Sequence, residues 1–74
     1  MKLIVDYEFD DVKANIHEFN TLVIPIKSRI RINEETIFSI KRYILGYEGL
    51  HYGFFFFGDP KIKNIKILDK RKKV

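Results

Sequence analysis

The residues best suited to chemistry are four carboxylates close to the N-terminus: Asp6, Glu8, Asp10 and Asp11. In a strand, three of them would share one face and the fourth would adjoin them. Such a cluster is the kind of site that binds Mg²⁺ or another hard cation in nucleases. The alternative is cross-strand pairing with a basic stripe further along the chain, formed by Lys27, Arg29 and Arg31. We favour charge pairing, because surface charges usually do no more than this, and we predict no metal site.

The only imidazoles are His17 and His51, which could serve as acid–base groups in a small, toxin-like RNase. Neither has the spacing of a metal ligand, and the sequence contains no HExxH, phosphate-binding loop or GxGxxG motif. The chain has no Cys, which excludes disulfides, thiolate zinc sites and a Cys nucleophile. We therefore predict a protein that is not an enzyme, with no catalytic residue and no cofactor.

Positive charge is concentrated in the second half of the chain. Residues 1–37 carry a net charge of −2 and residues 38–74 carry +6. Cations that alternate with aromatic rings could bind phosphates and stack on bases, so a small DNA- or RNA-binding protein is the alternative function. The residues for that role are Lys41, Arg42, Lys61, Lys63, Lys66, Lys70, Arg71, Lys72 and Lys73.

Alternating apolar residues predict the strands of the N-terminal half. Apolar positions from Leu3 to Phe9 alternate with polar ones, and Asp10-Asp11 breaks the pattern, as a turn would. Residues 12–20 fit either a second strand or a helical turn, and we choose the strand. A third strand is predicted over 22–32, where Pro25 requires an edge position or a bulge.

One helix and two further strands follow. Asn33 is a suitable N-cap, two acids follow it, and Gly46 is placed to end a helix over about 34–45. Its apolar stripe contains Ile37, Ile40 and Ile44. Four consecutive Phe at 54–57 predict a strand that is apolar on both faces, followed by a turn and a last strand over 62–68. A slip in the apolar phase of that strand predicts a bulge near Lys63.

These elements predict a single α+β domain over residues 1–69, with a basic, frayed tail at 70–74. The expected architecture is an antiparallel sheet of four to five strands with one helix packed on one face, in the order β-β-β-α-β-β. One helix covers only one face of such a sheet, so the outward Phe side chains need either a curled sheet or a second molecule. The residues that we predict to bind a protein partner are Tyr43, Tyr47, Tyr52, Phe55 and Phe57.

The function that these patterns favour is a small interaction or regulatory protein that binds another protein, or itself as a homodimer, through an aromatic sheet face. Ile, Lys, Phe, Tyr and Asn make up 37 of the 74 residues, a bias that indicates an AT-rich genome and would suit a virus or mobile element. The N-terminal apolar run is too short for a signal peptide, and no apolar run is long enough to span a bilayer. We therefore expect a cytoplasmic protein that does not bind membranes.

Overall fold

A computed structural model describes residues 1–53 and 58–69. The elements are β1 (Lys2–Asp11), β2 (Ile16–Pro25), α1 (Glu34–Tyr52) and β3 (Lys61–Leu68). The three strands form an antiparallel sheet in the order β2-β1-β3, with β1 in the centre. The domain is therefore α+β, as predicted, with one helix and a small antiparallel sheet. No helix in these described ranges has both the length and the apolar character needed to cross a bilayer.

The predicted strand order β-β-β-α-β-β is not confirmed, because the described elements follow the order β-β-α-β. Residues 12–15 form a turn, in which Asp11 Oδ1 accepts a bond from the Ala14 amide (3.1 Å) and Asn15 adopts a positive φ of 55°. A single strand, β2, replaces the two strands expected over 12–20 and 22–32. The predicted Phe strand at 54–57 lies outside the described residues, as does the tail from residue 70.

The early end of β2 follows from the extent of its partner strand. Lys2 lies opposite Pro25, and the next contact is a single bond from the Ile26 amide to the Met1 carbonyl (3.1 Å). β1 begins at Lys2, and within the described residues the alternating pattern after Pro25 continues without a ladder. Pro25 is the last residue of a strand at an edge of the described sheet, which agrees with its predicted edge position.

The helix begins as predicted but ends six residues past Gly46. The Asn33 side chain accepts a hydrogen bond from the Thr36 amide (3.0 Å), which identifies it as the N-cap. Gly46 lies inside the helix, and Gly53 ends it with a φ of 78° and a bond from its amide to the Gly49 carbonyl (2.8 Å). The extra turns are retained because Glu48 and Tyr52 both contact the sheet.

The core lies between α1 and one face of the sheet. The alternation predicted for β1 is confirmed, and the helix contributes two of its three predicted core residues. The buried apolar residues are Leu3, Val5, Tyr7, Phe9, Leu22, Ile24, Ile40 and Ile44. On β3, the predicted bulge is present: Asp6 pairs with Asn64 while Tyr7 pairs with Ile62, so Lys63 is the extra residue.

Candidate functional site

The outward side of α1 carries large apolar side chains that the fold leaves in solvent. Phe38 is 62 % exposed, Tyr43 48 %, Tyr47 43 % and Leu50 87 %, whereas Ile44 is fully buried. We call these four exposed residues the aromatic face of α1. Tyr43 and Leu50 project on the same side of the helix as the exposed Gly46, with Tyr47 next to them, whereas Phe38 lies half a turn from Tyr47 around the helix. Large apolar side chains grouped on an exposed surface can mark an interaction site.

Two ring contacts organise the aromatic face. The Arg42 guanidinium lies over the Phe38 ring, 5.9 Å from its centroid. Tyr47 and His51 stack with nearly parallel planes, 6.3 Å between centroids. Both pairs are four residues apart, so they lie one turn apart on the helix surface. These contacts restrict the motion of the rings, so less side-chain entropy would be lost if the rings were buried.

The three tyrosines among the predicted partner-binding residues do not share one surface. Tyr43 and Tyr47 belong to the aromatic face of the helix and not to a sheet face. Tyr52 points to the sheet instead, where its hydroxyl donates to Glu18 Oε1, and this bond with burial raises the Tyr52 pKa to about 12. The positions of Phe55 and Phe57 lie outside the described residues.

A polar network, buried at Tyr7 and Glu48 and exposed at Asn20, lies between the helix and the inner face of the sheet. The Tyr7 hydroxyl donates to Glu48 Oε2 at 2.5 Å, and both residues are fully buried. Burial and this bond raise the Tyr7 pKa well above its usual value. Asn20 donates to Glu18 Oε2 at 3.0 Å. Glu48 Oε1 has no hydrogen-bond partner within the described part of the chain. This network fixes the last turns of α1 against β1 and β2.

Sequence reasoning missed this network, although a signal for it existed. Glu48 continues the helical spacing of Ile40 and Ile44, so its position predicts burial. Tyr7 lies in the buried series of β1, and a buried tyrosine hydroxyl usually needs a hydrogen-bond partner. The helix was expected to end at Gly46, and that error removed Glu48 from the candidates.

Three of the four predicted carboxylates, Asp6, Glu8 and Asp10, lie on the outer face of the sheet, whereas Asp11 is buried in the inward-facing series of β1. The basic residues expected to pair with them lie elsewhere. Lys27, Arg29 and Arg31 follow the end of β2, so the proposed cross-strand pairing with them is wrong. Asp6 instead accepts a bond from the Thr21 hydroxyl (2.6 Å). No group of three His, Asp or Glu residues within 1–53 and 58–69 is arranged to hold a metal ion.

Glu8 forms the main charge contacts of that outer face. His17 Nε2 lies 2.6 Å from Glu8 Oε2, and Lys63 Nζ lies 3.6 Å from Glu8 Oε1. The bond from His17, with the attraction of Lys63, lowers the Glu8 pKa. His51 lies on α1, which packs on the other face of the sheet. The two imidazoles are therefore on opposite sides of β1 and do not form a catalytic pair.

Lys61 and Lys66 are exposed on β3, at an edge of the described sheet, and lie opposite Glu8 and Ile4 of β1. Arg42 lies on the aromatic face of the helix, and Lys41 is partly buried beside it. The four basic residues of the tail, Lys70, Arg71, Lys72 and Lys73, lie outside the described residues. Glu8 contacts Lys63 and lies opposite Lys61, which reduces the positive potential of that part of β3. The nucleic-acid function stays a prediction.

Comparison of the chain with protein-family models, with curated proteins and with solved structures finds no match.

Proposed function

We propose that this protein acts without catalysis, by binding another protein molecule through the aromatic face of α1. The observation that carries the proposal is the exposure of four large apolar side chains, between 43 % and 87 %, on a helix whose opposite side is fully buried. The buried side already holds α1 on the sheet, so the fold does not need these outward groups. Aromatic side chains supply much of the binding energy at protein interfaces.

The polar surroundings support the same function. Arg42 over Phe38 and His51 beside Tyr47 border the apolar side chains with groups that remain solvated. An apolar centre with a polar rim is the usual composition of a protein interface, and Tyr and Arg are enriched there. Binding would therefore desolvate the rings without burying an isolated charge.

Site-specific photocrosslinking tests this proposal in the cells that make the protein. A photoreactive phenylalanine analogue replaces Tyr43 in one version and Tyr47 in another. The matched control carries it at Thr21, which is exposed on the other face of the sheet. We expect a defined protein adduct from the two helix positions and not from position 21. The protein captured in the adduct should also bind this protein when both are purified, and Leu50→Lys should weaken that affinity by about tenfold or more.

The opposite pattern would refute the proposal. Equal crosslinking at all three positions would mean nonspecific contact, and no adduct at either helix position would mean that the aromatic face is not an interface. An adduct between two copies of the chain counts as protein binding and is separated from other partners by its mass.

A further inference from the structure

The exposed helix surface contains a regular alternation of small and large residues. Ser39, Tyr43, Gly46 and Leu50 are all exposed and follow spacings of four, three and four residues. That spacing forms the contact line of two helices that pack along each other. The line extends over about 17 Å of the helix, at 1.5 Å per residue. Along it, the sizes run small, large, small, large.

Nothing in the described part of the fold requires a glycine at position 46. A Cβ placed on it would meet nothing within 4 Å, and its φ is not in the left-handed region. Glycine is unfavourable in the interior of a helix, so Gly46 lowers the stability of α1, and no packing contact within the described residues compensates for this. A residue without a side chain is useful here only to something that approaches from outside.

We propose that the partner of the aromatic face is a second copy of this chain, with the two α1 helices antiparallel about a twofold axis. In that arrangement Tyr43 of each copy packs on Gly46 of the other, and Leu50 packs on Ser39. Every large residue meets a small one, and each contact occurs twice, as a twofold interface requires. Parallel helices would instead place Tyr43 against Tyr43 and leave a gap between the two glycines. This inference rests on the proposed function, because it names the partner of the same face.

The surroundings of Ser39 match this arrangement. An open depression at the N-terminal end of α1 is lined by Glu34, Glu35, Phe38 and Ser39. Leu50, the most exposed apolar residue of the helix at 87 %, would enter the partner's depression. Antiparallel packing also separates the acidic first turns of the two helices and sets each near the partner's last turn, which contains a histidine. Parallel packing would place the acidic turns side by side.

The available area is that of a weak dimer. Phe38 projects away from the contact line, so at about 200 Å² for each large side chain the exposed fractions of Tyr43, Tyr47 and Leu50 sum to the order of 350 Å² per protomer. A stable interface buries roughly 800 Å² per partner. The remaining area is available from Ser39, Arg42, Gly46 and His51, which are also exposed. The expected dimer therefore dissociates within the range that sedimentation measures.

A pair of size-changing variants provides a specific test on the full chain. Tyr43→Ala removes the large residue, and Gly46→Tyr fills the place that receives it, so each variant alone should weaken the homodimer by about tenfold or more. A mixture of the two should associate again, because the introduced tyrosine then faces the introduced alanine, while the native Gly46 of one chain faces the native Tyr43 of the other. Sedimentation equilibrium gives the three dissociation constants, and circular dichroism confirms that each variant is folded. A general loss of structure cannot produce recovery on mixing.

Helix direction can be tested separately, because the chain contains no Cys. Ser39→Cys and Leu50→Cys chains, mixed and oxidised, should form the mixed disulfide dimer, whereas parallel helices would link identical chains. A wild-type chain that stays monomeric at millimolar concentration would overturn the inference. So would two size-changing variants that do not recover on mixing. If crosslinking at Tyr43 then captures and reconstitutes a different protein, the proposed function survives and only the second copy is refuted.

Discussion

The bond between Tyr7 and Glu48 holds the C-terminal part of α1 on the sheet, and its removal is a sharp test of the fold. Tyr7→Phe keeps the ring in the core and deletes only the hydroxyl that donates to Glu48 Oε2 at 2.5 Å. Glu48 is fully buried, and its other oxygen already lacks a partner within the described residues. The substitution would therefore leave both carboxyl oxygens without a donor there.

The magnitude follows from burial. Removing one partner of a hydrogen bond so that a buried acceptor is left unsatisfied costs about 1–3 kcal/mol. We expect Tyr7→Phe to lower the free energy of unfolding by about 1.5–3 kcal/mol. A chain of 74 residues has roughly 4–11 kcal/mol in total, at 0.05–0.15 kcal/mol per residue. The variant should remain folded but unfold at a much lower urea concentration.

Urea unfolding followed by circular dichroism gives the measurement. Tyr43→Phe is the matched control, because it removes the same hydroxyl from a ring that is 48 % exposed, and it should change the stability by less than about 0.5 kcal/mol. Glu48→Gln keeps an acceptor for Tyr7 without the charge, so Tyr7→Phe should cost only about 1 kcal/mol in that background. A loss below about 0.5 kcal/mol for Tyr7→Phe in the wild type, with an unchanged urea dependence, would refute the reasoning.

Three other predictions concern stability. Folding raises the Tyr7 pKa from its ordinary value of 10.0, so the unfolded chain loses that proton first as the pH rises. The Tyr7 proton should therefore leave the free energy of unfolding constant below pH 10.0 and lower it above that pH. Alkaline urea titrations should show a less steep fall for Tyr7→Phe than for the wild type. A Cβ on Gly58 would lie 2.6 Å from the Asp10 carbonyl oxygen, so Gly58→Ala should lower the free energy of unfolding by about 1–3 kcal/mol. Gly46→Ala should instead raise that of the monomer by up to about 1 kcal/mol, because a Cβ there meets no atom. Urea midpoints at low protein concentration compare the two, and equal effects would contradict the packing described. Asn33→Ala removes the helix N-cap and should cost about 1 kcal/mol in thermal unfolding, while Asn33→Asp should retain most of it.

Local sequence patterns predicted the elements whose tertiary contacts favour the same secondary structure. The alternation from Leu3 to Phe9 is a strand with one buried face, and Asn33 begins the helix. The errors occur where distant residues decide. Gly46 resembles a helix end, but the buried contacts of Glu48 and Tyr52 extend α1 past it. Likewise, the Ile pattern after residue 25 lacks a strand to pair with, which no local signal can reveal.

The candidate site was predictable only in part, for a related reason. Tyr43, Tyr47 and Tyr52 are chemically alike, and whether each is exposed or contacts the sheet depends on the direction in which its side chain projects from the helix. Tyr43 and Tyr47 project into solvent, whereas Tyr52 reaches Glu18 of β2. Spacing along a helix gives the relative directions of side chains but not which direction meets the sheet. The position of β2 beside β1 supplies that information, and it appears only in the folded chain.

The central position of β1 has a consequence for the order of folding. Its pairing with β2 joins neighbours across a short turn, whereas its pairing with β3 joins Lys2 to Leu68, nearly the whole chain apart. Contacts between distant residues form late, because a long loop must close before they contribute. During synthesis, the hairpin and the helix can form while one edge of β1 still exposes its backbone groups. β3 is synthesised after both of them and closes that edge, so a chain truncated before β3 should aggregate instead of remaining partly folded.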